Sequence, residues 1–408
     1  MAENKVYVVG GGPAGVMAAS TAAFNGNPTV LIEKNPKLFK KMFITGKGRC
    51  NVTNACDIED FFVNVPHNSS FCYSAVYSFT PDDTVSLIEK NGTPLKTERG
   101  KRVFPVSDKS VDIIRAFEKY IKNSGAEVRL NTSFEGITVS DGKVTGIKYN
   151  GTLRPASKVI LALGGASYVS TGSDGAWKEK IEKLGHKVEE FTPALIPMTS
   201  DEKWVTELMG LSLKNVTLTV LYNGKKIYSD LGEMLFTHFG ISGPLVLTAS
   251  SMLKKPDFSK VRVQIDLKPG LSKDMLDKRI LRDLKEAGNK NIKNTLVQLL
   301  PSRLITAVLE KANVNENKNA NQLTQEERQS LVNTLKCLEV SVSGFRDINE
   351  AIVTRGGVNV KEIDPSTMES KLIKGLYFAG EMVDVDCLTG GFNIQLALST
   401  GYLAGSSV

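Results

Sequence analysis

Near its amino terminus the chain reads KVYVVGGGPAGVMAASTAAFNGNPTVLIEKN, and no other stretch limits its fold as strongly. Lys5 to Val9 reads as a short buried strand, Pro13 to Asn25 as a helix of small residues, and Thr29 to Glu33 as a second strand. Gly10, Gly12 and Gly15 between the first strand and the helix give the spacing G-x-G-x-x-G in the strand-to-helix context that makes it meaningful. Gly10 permits a tight turn, Gly12 removes a Cβ that would meet a pyrophosphate, and Gly15 lets helix and strand pack closely. The helix start adds free N–H groups and the positive end of its dipole. Glu33, closing the second strand, places a carboxylate where a ribose could donate to it. Together these features predict an α/β unit that binds a dinucleotide, without separating FAD from NAD.

At ~150 residues per domain, 408 residues suggest two or three domains. Hydrophobic residues at 41% and charged residues at 23% exclude a disordered, collagenous or coiled-coil chain. The 51 Lys and Arg exceed the 44 Asp and Glu by +7, but they are scattered along the sequence without a basic stripe interleaved by aromatics. Pairs such as Lys40-Lys41 and Lys254-Lys255 therefore read as solvated surface, and no nucleic-acid partner is expected. Five cysteines with no C-x-x-C suggest neither a disulfide framework nor a zinc site, so no metal and a cytoplasmic setting are expected. The apolar start resembles a signal peptide, but the fixed glycine spacing and the second strand argue against one. No run of 18 apolar residues predicts a membrane span.

Farther along, Ser107 to Ser124 has helical spacing, Glu127 to Leu130 is strand-like, and Asp141-Gly142 joins two strands in a hairpin, Phe134 to Val139 and Val144 to Tyr149. Lys158 to Ala162 is another buried strand that runs into Gly164-Gly165. Beyond Ala194 come strands (Val216 to Tyr222, Lys226 to Tyr228) and a helical stretch from Ser272 to about Lys311. A loop follows over Asn313 to Asn321, then a helix start with a capping box at Thr324 to Glu327, and a strand over Leu338 to Val342. Gly375 to Gly380 is a last buried strand, closed by Glu381, and Gly390-Gly391-Phe392-Asn393 opens a terminal helix. Such a helix start could hydrogen-bond the N1 and C2 carbonyl edge of an isoalloxazine and stabilise negative charge there.

The chain resembles the bacterial NAD(P)/FAD-dependent oxidoreductase family of flavoproteins, which includes dehydro-bile-acid reductase-like and aminoacetone oxidase-like members. The motifs that carry this resemblance are the glycine fingerprint, TGKGRCNVTN at Thr45 to Asn54, GKRVFPVSDKS at Gly100 to Ser110, LGGASYVSTGSDG at Leu163 to Gly175, GEMLFTHFGISGP at Gly232 to Pro244, and GLYFAGEMVDVD with TGGFNIQLALSTGYLAG near the end. They span essentially the whole chain. Cys387 departs from the family, which commonly has glycine after the second Asp of DVD.

The resemblance implies an α/β fold: a Rossmann-like FAD-binding domain (1–194 and 367–408), an inserted β domain (195–270 and 335–366) and a helical cap (271–334). It implies non-covalent FAD, with the pyrophosphate on Gly10, Gly12, Pro13, Ala14 and Gly15, the adenosine ribose on Glu33 near Lys34, and adenine beside Val128. Gly46, Gly48, Arg49, Cys50 and Asn51 would pass beside the flavin, and Gly164 joins the cofactor set. Gly380, Glu381, Gly391, Phe392, Asn393 and Ile394 would hold its ribityl and pyrimidine side. Arg49 and His238 are the catalytic candidates: Arg49 as positive charge near the flavin or an anionic substrate, His238 as proton donor. Cys50, lacking a second cysteine nearby, reads as packing.

The absence of a second fingerprint makes NAD(P)H a transient co-substrate rather than the ligand of a dedicated domain. The expected function is an NAD(P)H-driven reduction of an activated C=C bond, of enone, dehydro-steroid or bile-acid type, by hydride transfer from flavin N5. An amine oxidase of aminoacetone type using O2 is the alternative, and a non-catalytic or RNA-associated FAD protein a third. The expected partner is a small-molecule substrate, with no membrane; the sequence leaves the oligomeric state open.

Overall fold

The computed structural model describes residues 5–408. They divide into two compact units, the first made of the chain up to Ala194 together with Ile348–Val408, the second of Leu195–Asp347.

The first unit is built on a wholly parallel sheet. Strands β1 (Val6–Val9), β2 (Thr29–Ile32), β3 (Glu127–Arg129), β4 (Lys158–Leu161) and β5 (Leu376–Phe378) lie in the order β5-β4-β1-β2-β3. The runs VYVV and TVLI are buried at every position, as parallel strands covered on both faces must be. Helix α1 (Pro13–Phe24) carries proline at its first position, where a missing N–H costs nothing. Helix α2 (Ser110–Ser124) buries Ile113, Ala116, Phe117 and Ile121 along one stripe and ends at Gly125 with φ 79°. Helix α3 (Phe392–Ser406) packs on α1 through small residues: a Cβ on Gly401 would stand 2.2 Å from the Ala14 carbonyl oxygen. Buried Gln395 of α3 accepts hydroxyls from Thr53 (2.6 Å) and Thr84 (2.7 Å) and donates to the Phe79 carbonyl (3.0 Å), so the terminal helix is fastened to residues 53–84.

That fastening depends on a region the sequence left unread: short helices Ile58–Val63, Tyr73–Ser78 and Pro81–Lys90, and a sheet of Thr53–Asn54, Arg102–Pro105 and Leu95–Glu98. The Asp141-Gly142 hairpin forms as expected and gains a third strand, Thr152–Pro155.

In the second unit, strand Ser212–Tyr222 lies inside a seven-stranded antiparallel sheet, third from one edge, flanked by Lys225–Thr237 on one side and Val261–Asp266 on the other. Lys273–Ala287, Ser302–Lys311 and Gln325–Lys336 are its main helices, and the capping box at Thr324 forms with both its hydrogen bonds. Leu276, Ile280, Leu304, Val308, Leu331 and Leu335 of these helices share one continuous core with Leu218, Val220, Val263 and Ile265 of the sheet. Residues 271–334, expected as a helical cap, share their unit with the sheet, and 348–366, expected in the inserted domain, lie with the first unit, where Val353–Val358 pairs with Val188–Ala194.

Candidate functional site

The site is built where β1 turns into α1. Gly10 adopts φ 109° and lies so close to the end of β4 that a Cβ would sit 2.3 Å from the Ala162 oxygen, while one on Gly15 would sit 1.8 Å from the Gly10 oxygen. Both are packing glycines. A Cβ on Gly12 would meet nothing within 4 Å, so the space in front of the helix start is open. Above it the first-turn N–H groups of Ala14 and Gly15 lack partners within the helix. An open cradle beneath free N–H donors fits an anionic pyrophosphate.

Glu33 closes β2 and is already committed to the loop. Its Oε2 accepts the Gly11 N–H at 2.6 Å, and its Oε1 accepts both the backbone and the side-chain N–H of Asn35 at 2.7 Å. A carboxylate offers about four acceptor positions, so one remains for a hydroxyl. Lys34 is drawn to Asp174 at 2.7 Å, and Val128 sits on the edge strand β3, paired with Leu31.

The TGKGRCN segment is a left-handed run: φ is 58° at Gly46, 58° at Lys47, 82° at Gly48 and 61° at Cys50. Positive φ at Lys47 and Cys50 is strained conformation of the kind that gathers at ligand sites. Asn51 follows with a buried Oδ1 that has no hydrogen-bond partner, and the Ser173 hydroxyl near Gly164 is a second such atom. Such orphaned polar atoms are what a polar cofactor would satisfy.

Arg49 turns away from free service. Its guanidinium donates to Asp108 at 2.8 Å, also pairs with Glu98, and lies 4.2 Å over the Phe104 ring. The paired carboxylates raise its pKa further, so it ties the 45–51 turn to the small sheet as a structural cation. The Cys50 thiol is fully buried and pushed up to about 12 by desolvation, which fits the packing role. Near pH 8 that keeps the thiol protonated and unreactive. Iodoacetamide should alkylate exposed Cys337 in the native protein and spare Cys50, Cys72 and Cys387, and mass spectrometry of the labelled peptides checks this.

Glu381 accepts two contacts from Lys41 Nζ, at 2.8 and 3.0 Å, and the Thr354 N–H at 3.0 Å. Lys41 is thus a half-buried partner, not the solvated surface expected of the Lys40-Lys41 pair; Lys40 itself bonds the Ser170 carbonyl and Asn35. Gly380, with φ 74°, donates to Thr400 Oγ1 at 3.0 Å. The Gly391 cap of α3 has φ 100°, and the N–H groups of Phe392, Asn393 and Ile394 form the open first turn. Asn393 works through its side chain as well, bracing Cys387 by accepting its N–H at 2.9 Å and donating to its carbonyl at 2.8 Å.

Two pairs absent from the sequence reading hold the Asp384–Cys387 loop. His67 Nε2 lies 3.1 Å from Asp384 Oδ2, and Arg355 grips buried Asp386 at 2.7 and 2.8 Å. No sequence signal joins positions some 30 to 317 residues apart. His238 belongs to the second unit, between strands Lys225–Thr237 and Gly240–Ser242, edge-on to Phe239.

The model of the HI0933-like protein Rossmann domain matches residues 4–407. The chain belongs to the HI0933-like family. As the resemblance implied, this family member is an FAD-dependent oxidoreductase with an FAD-binding Rossmann domain. Two curated relatives align along nearly its whole length. The 3-dehydro-bile acid delta(4,6)-reductase of Clostridium scindens is 29% identical over 98% of each chain. The ribosomal RNA dihydrouridine synthase of Haemophilus influenzae is 30% identical over 98% of this chain and 97% of its own. Among solved structures, the open conformation of a flavocytochrome c3 fumarate reductase shares the fold, with TM-score 0.52 and 18% identity over 99% of this chain and 78% of that one. Among the described residues no helix is long and apolar enough to cross a membrane, and no cluster of metal-ligating side chains occurs.

Proposed function

We propose that this HI0933-like flavoprotein is an NAD(P)H-driven reductase of a C=C bond conjugated to a carbonyl. One observation carries the reading: the names of two full-length relatives converge on that bond. A 3-oxo steroid unsaturated at carbons 4 and 6 is a conjugated dienone, and dihydrouridine is uridine saturated at the C5=C6 bond next to its C4 carbonyl. The bond type is shared although the carriers differ. An enone of steroid type is the carrier expected from the sequence; the synthase relative favours uracil in RNA as the second.

Bound FAD would supply hydride chemistry between a nicotinamide and the electron-poor carbon of the conjugated bond. Gly10, Gly12, Pro13, Ala14 and Gly15 would hold its pyrophosphate, Glu33 the ribose, with Lys34 close by, and Val128 adenine. Gly46, Gly48, Cys50 and Asn51 would line the flavin, with Gly164, Gly380 and Glu381 completing the cradle. The Phe392–Ile394 N–H groups at the start of α3 would stabilise negative charge at the pyrimidine edge. Arg49 would shape this wall by fixing the turn rather than by touching substrate.

The second carbon needs a proton. His238 is the proposed donor on the second unit, and His67, oriented by Asp384, is its rival on the first. Each is replaced by Gln in turn: loss of the true donor should lower kcat by about 10² to 10⁴-fold, while the other variant stays within about twofold.

Anaerobic mixing tests the reading as a whole. Rapid bleaching of the flavin by NADH or NADPH, followed by reoxidation with a conjugated enone or a uridine-containing RNA, is expected. Bleaching by an amine with H2O2 release in air would make the chain an oxidase instead.

A further inference from the structure

The second unit gathers at one end of its sheet cations that are scattered in the sequence. Residues 195–347 hold 22 Lys and Arg against 17 Asp and Glu, so most of the chain's positive excess lies here. Around the Asn223-Gly224 turn, Tyr222 pairs with Lys225, and Leu221 pairs with Lys226 on one neighbour and with Arg262 on the other. With strands ~4.8 Å apart, the side chains of Lys226 and Arg262 leave the same face roughly 10 Å from each other. The Lys260 carbonyl accepts the Asn223 N–H at 3.2 Å. The Tyr222 hydroxyl accepts the Asp257 N–H at 3.4 Å, which draws Lys254 and Lys255 to the same end.

Six exposed cations, Lys225, Lys226, Lys254, Lys255, Lys260 and Arg262, are thereby assembled from three chain segments. Opposing them are Asp257, 3.3 Å from Lys260, and Glu339, which accepts the Gln264 amide at 2.9 Å. Arg346 and Asp347, beside Phe345 where it meets Phe258, add one charge of each sign. Lys225, Lys226 and Lys254 have no acidic partner among the described residues.

We propose that this end of the second unit binds the phosphodiester backbone of an RNA strand, against the expectation of no nucleic-acid partner. The inference deepens the reductase reading by naming the carrier of the conjugated bond, and rests on that reading for this point alone. Unpaired lysines at the start of one strand and in the loop drawn to the same end suit successive phosphates, which fix a strand's position without reading its sequence. Half-buried Tyr222 and Phe258 stand among them as aromatic faces of the kind bases stack on. A membrane-lying surface would set exposed large apolar side chains beside its lysines. Those of this unit, Met209, Leu231, Met275 and Val297, lie outside the cluster's three segments.

The test uses the FAD-loaded full chain and a triple variant, Lys225→Glu, Lys226→Glu and Lys254→Glu, all exposed positions outside the cofactor set. Fluorescence anisotropy with a short labelled ribosomal-RNA strand is read across a salt series. Wild type should bind with log K falling linearly in log salt; the variant should bind at least about tenfold more weakly, with a slope shallower by about 2. Its flavin content and its reduction of a free enone should match wild type. Equal RNA affinity of the two proteins overturns the proposal. So does binding to phosphatidylserine vesicles or to polyglutamate that the variant loses while neither protein binds RNA. RNA binding that the variant loses, with neither enone nor uracil reduced by wild type, would uphold the docking surface and sink the reductase reading. Enone reduction without RNA binding would do the reverse.

Discussion

Gly12→Val should yield a folded, colourless protein. The backbone at Gly12 is extended, with φ −84° and ψ −175°, a conformation valine adopts readily, and a Cβ there would touch no protein atom. The added methyls therefore enter only the open space before α1, where the pyrophosphate would lie. Flavin absorbance per purified chain should fall at least about tenfold, a loss of some 1.4 kcal/mol or more in binding, with the circular dichroism spectrum unchanged. Gly15→Val is the contrasting variant: its Cβ would overlap the Gly10 carbonyl, so it should lose fold and flavin together. Full flavin content in folded Gly12→Val protein would place the cofactor elsewhere.

Asp386→Ala should cost the first unit more stability than any surface substitution. Asp386 is 1% exposed and takes both arms of the Arg355 guanidinium, whose burial disfavours its charge while the Asp386 hydrogen bonds more than restore it. Removing the carboxylate leaves a buried cation without its bidentate partner, which costs about 3 to 5 kcal/mol. In a unit of this size that lowers Tm by roughly 10 °C, measurable by differential scanning calorimetry. A fall of only about 1 °C would mean that the pair contributes little.

The glycine fingerprint was legible because its logic is local: strand, turn, helix and strand follow within 33 residues, and every constraint acts between neighbours. The terminal strand, its closing acid and the helix after it were legible for the same reason. What the sequence hid are partnerships across the chain. Lys41 with Glu381, His67 with Asp384 and Gln395 with Thr84 each join residues more than 300 positions apart, and no period or spacing encodes them. Most helices and strands of residues 53–105 are too short for a hydrophobic period to emerge, but the helix Pro81–Lys90 had a readable signal in the Thr80–Asp83 capping box that opens it. The amphipathic helices of the second unit announce an apolar stripe without naming what it packs on, and that is the sheet of the same unit. The pairing of Arg49 with Glu98 and Asp108, from two other segments, was likewise hidden in its own stretch of sequence. Basic residues on three segments looked scattered until strand register brought them to one end.

The central claim is that this flavoprotein adds hydrogen across a C=C bond conjugated to a carbonyl. It is tested most directly by mass spectrometry of the products formed by the FAD-loaded protein with NAD(P)H under argon, using a 3-oxo-4-ene steroid, its 4,6-diene and a uridine-containing RNA. The account expects at least one of these to gain two hydrogens at the conjugated bond with equal consumption of NAD(P)H. No gain in any of them, together with amine-dependent H2O2 formation in air, would contradict it.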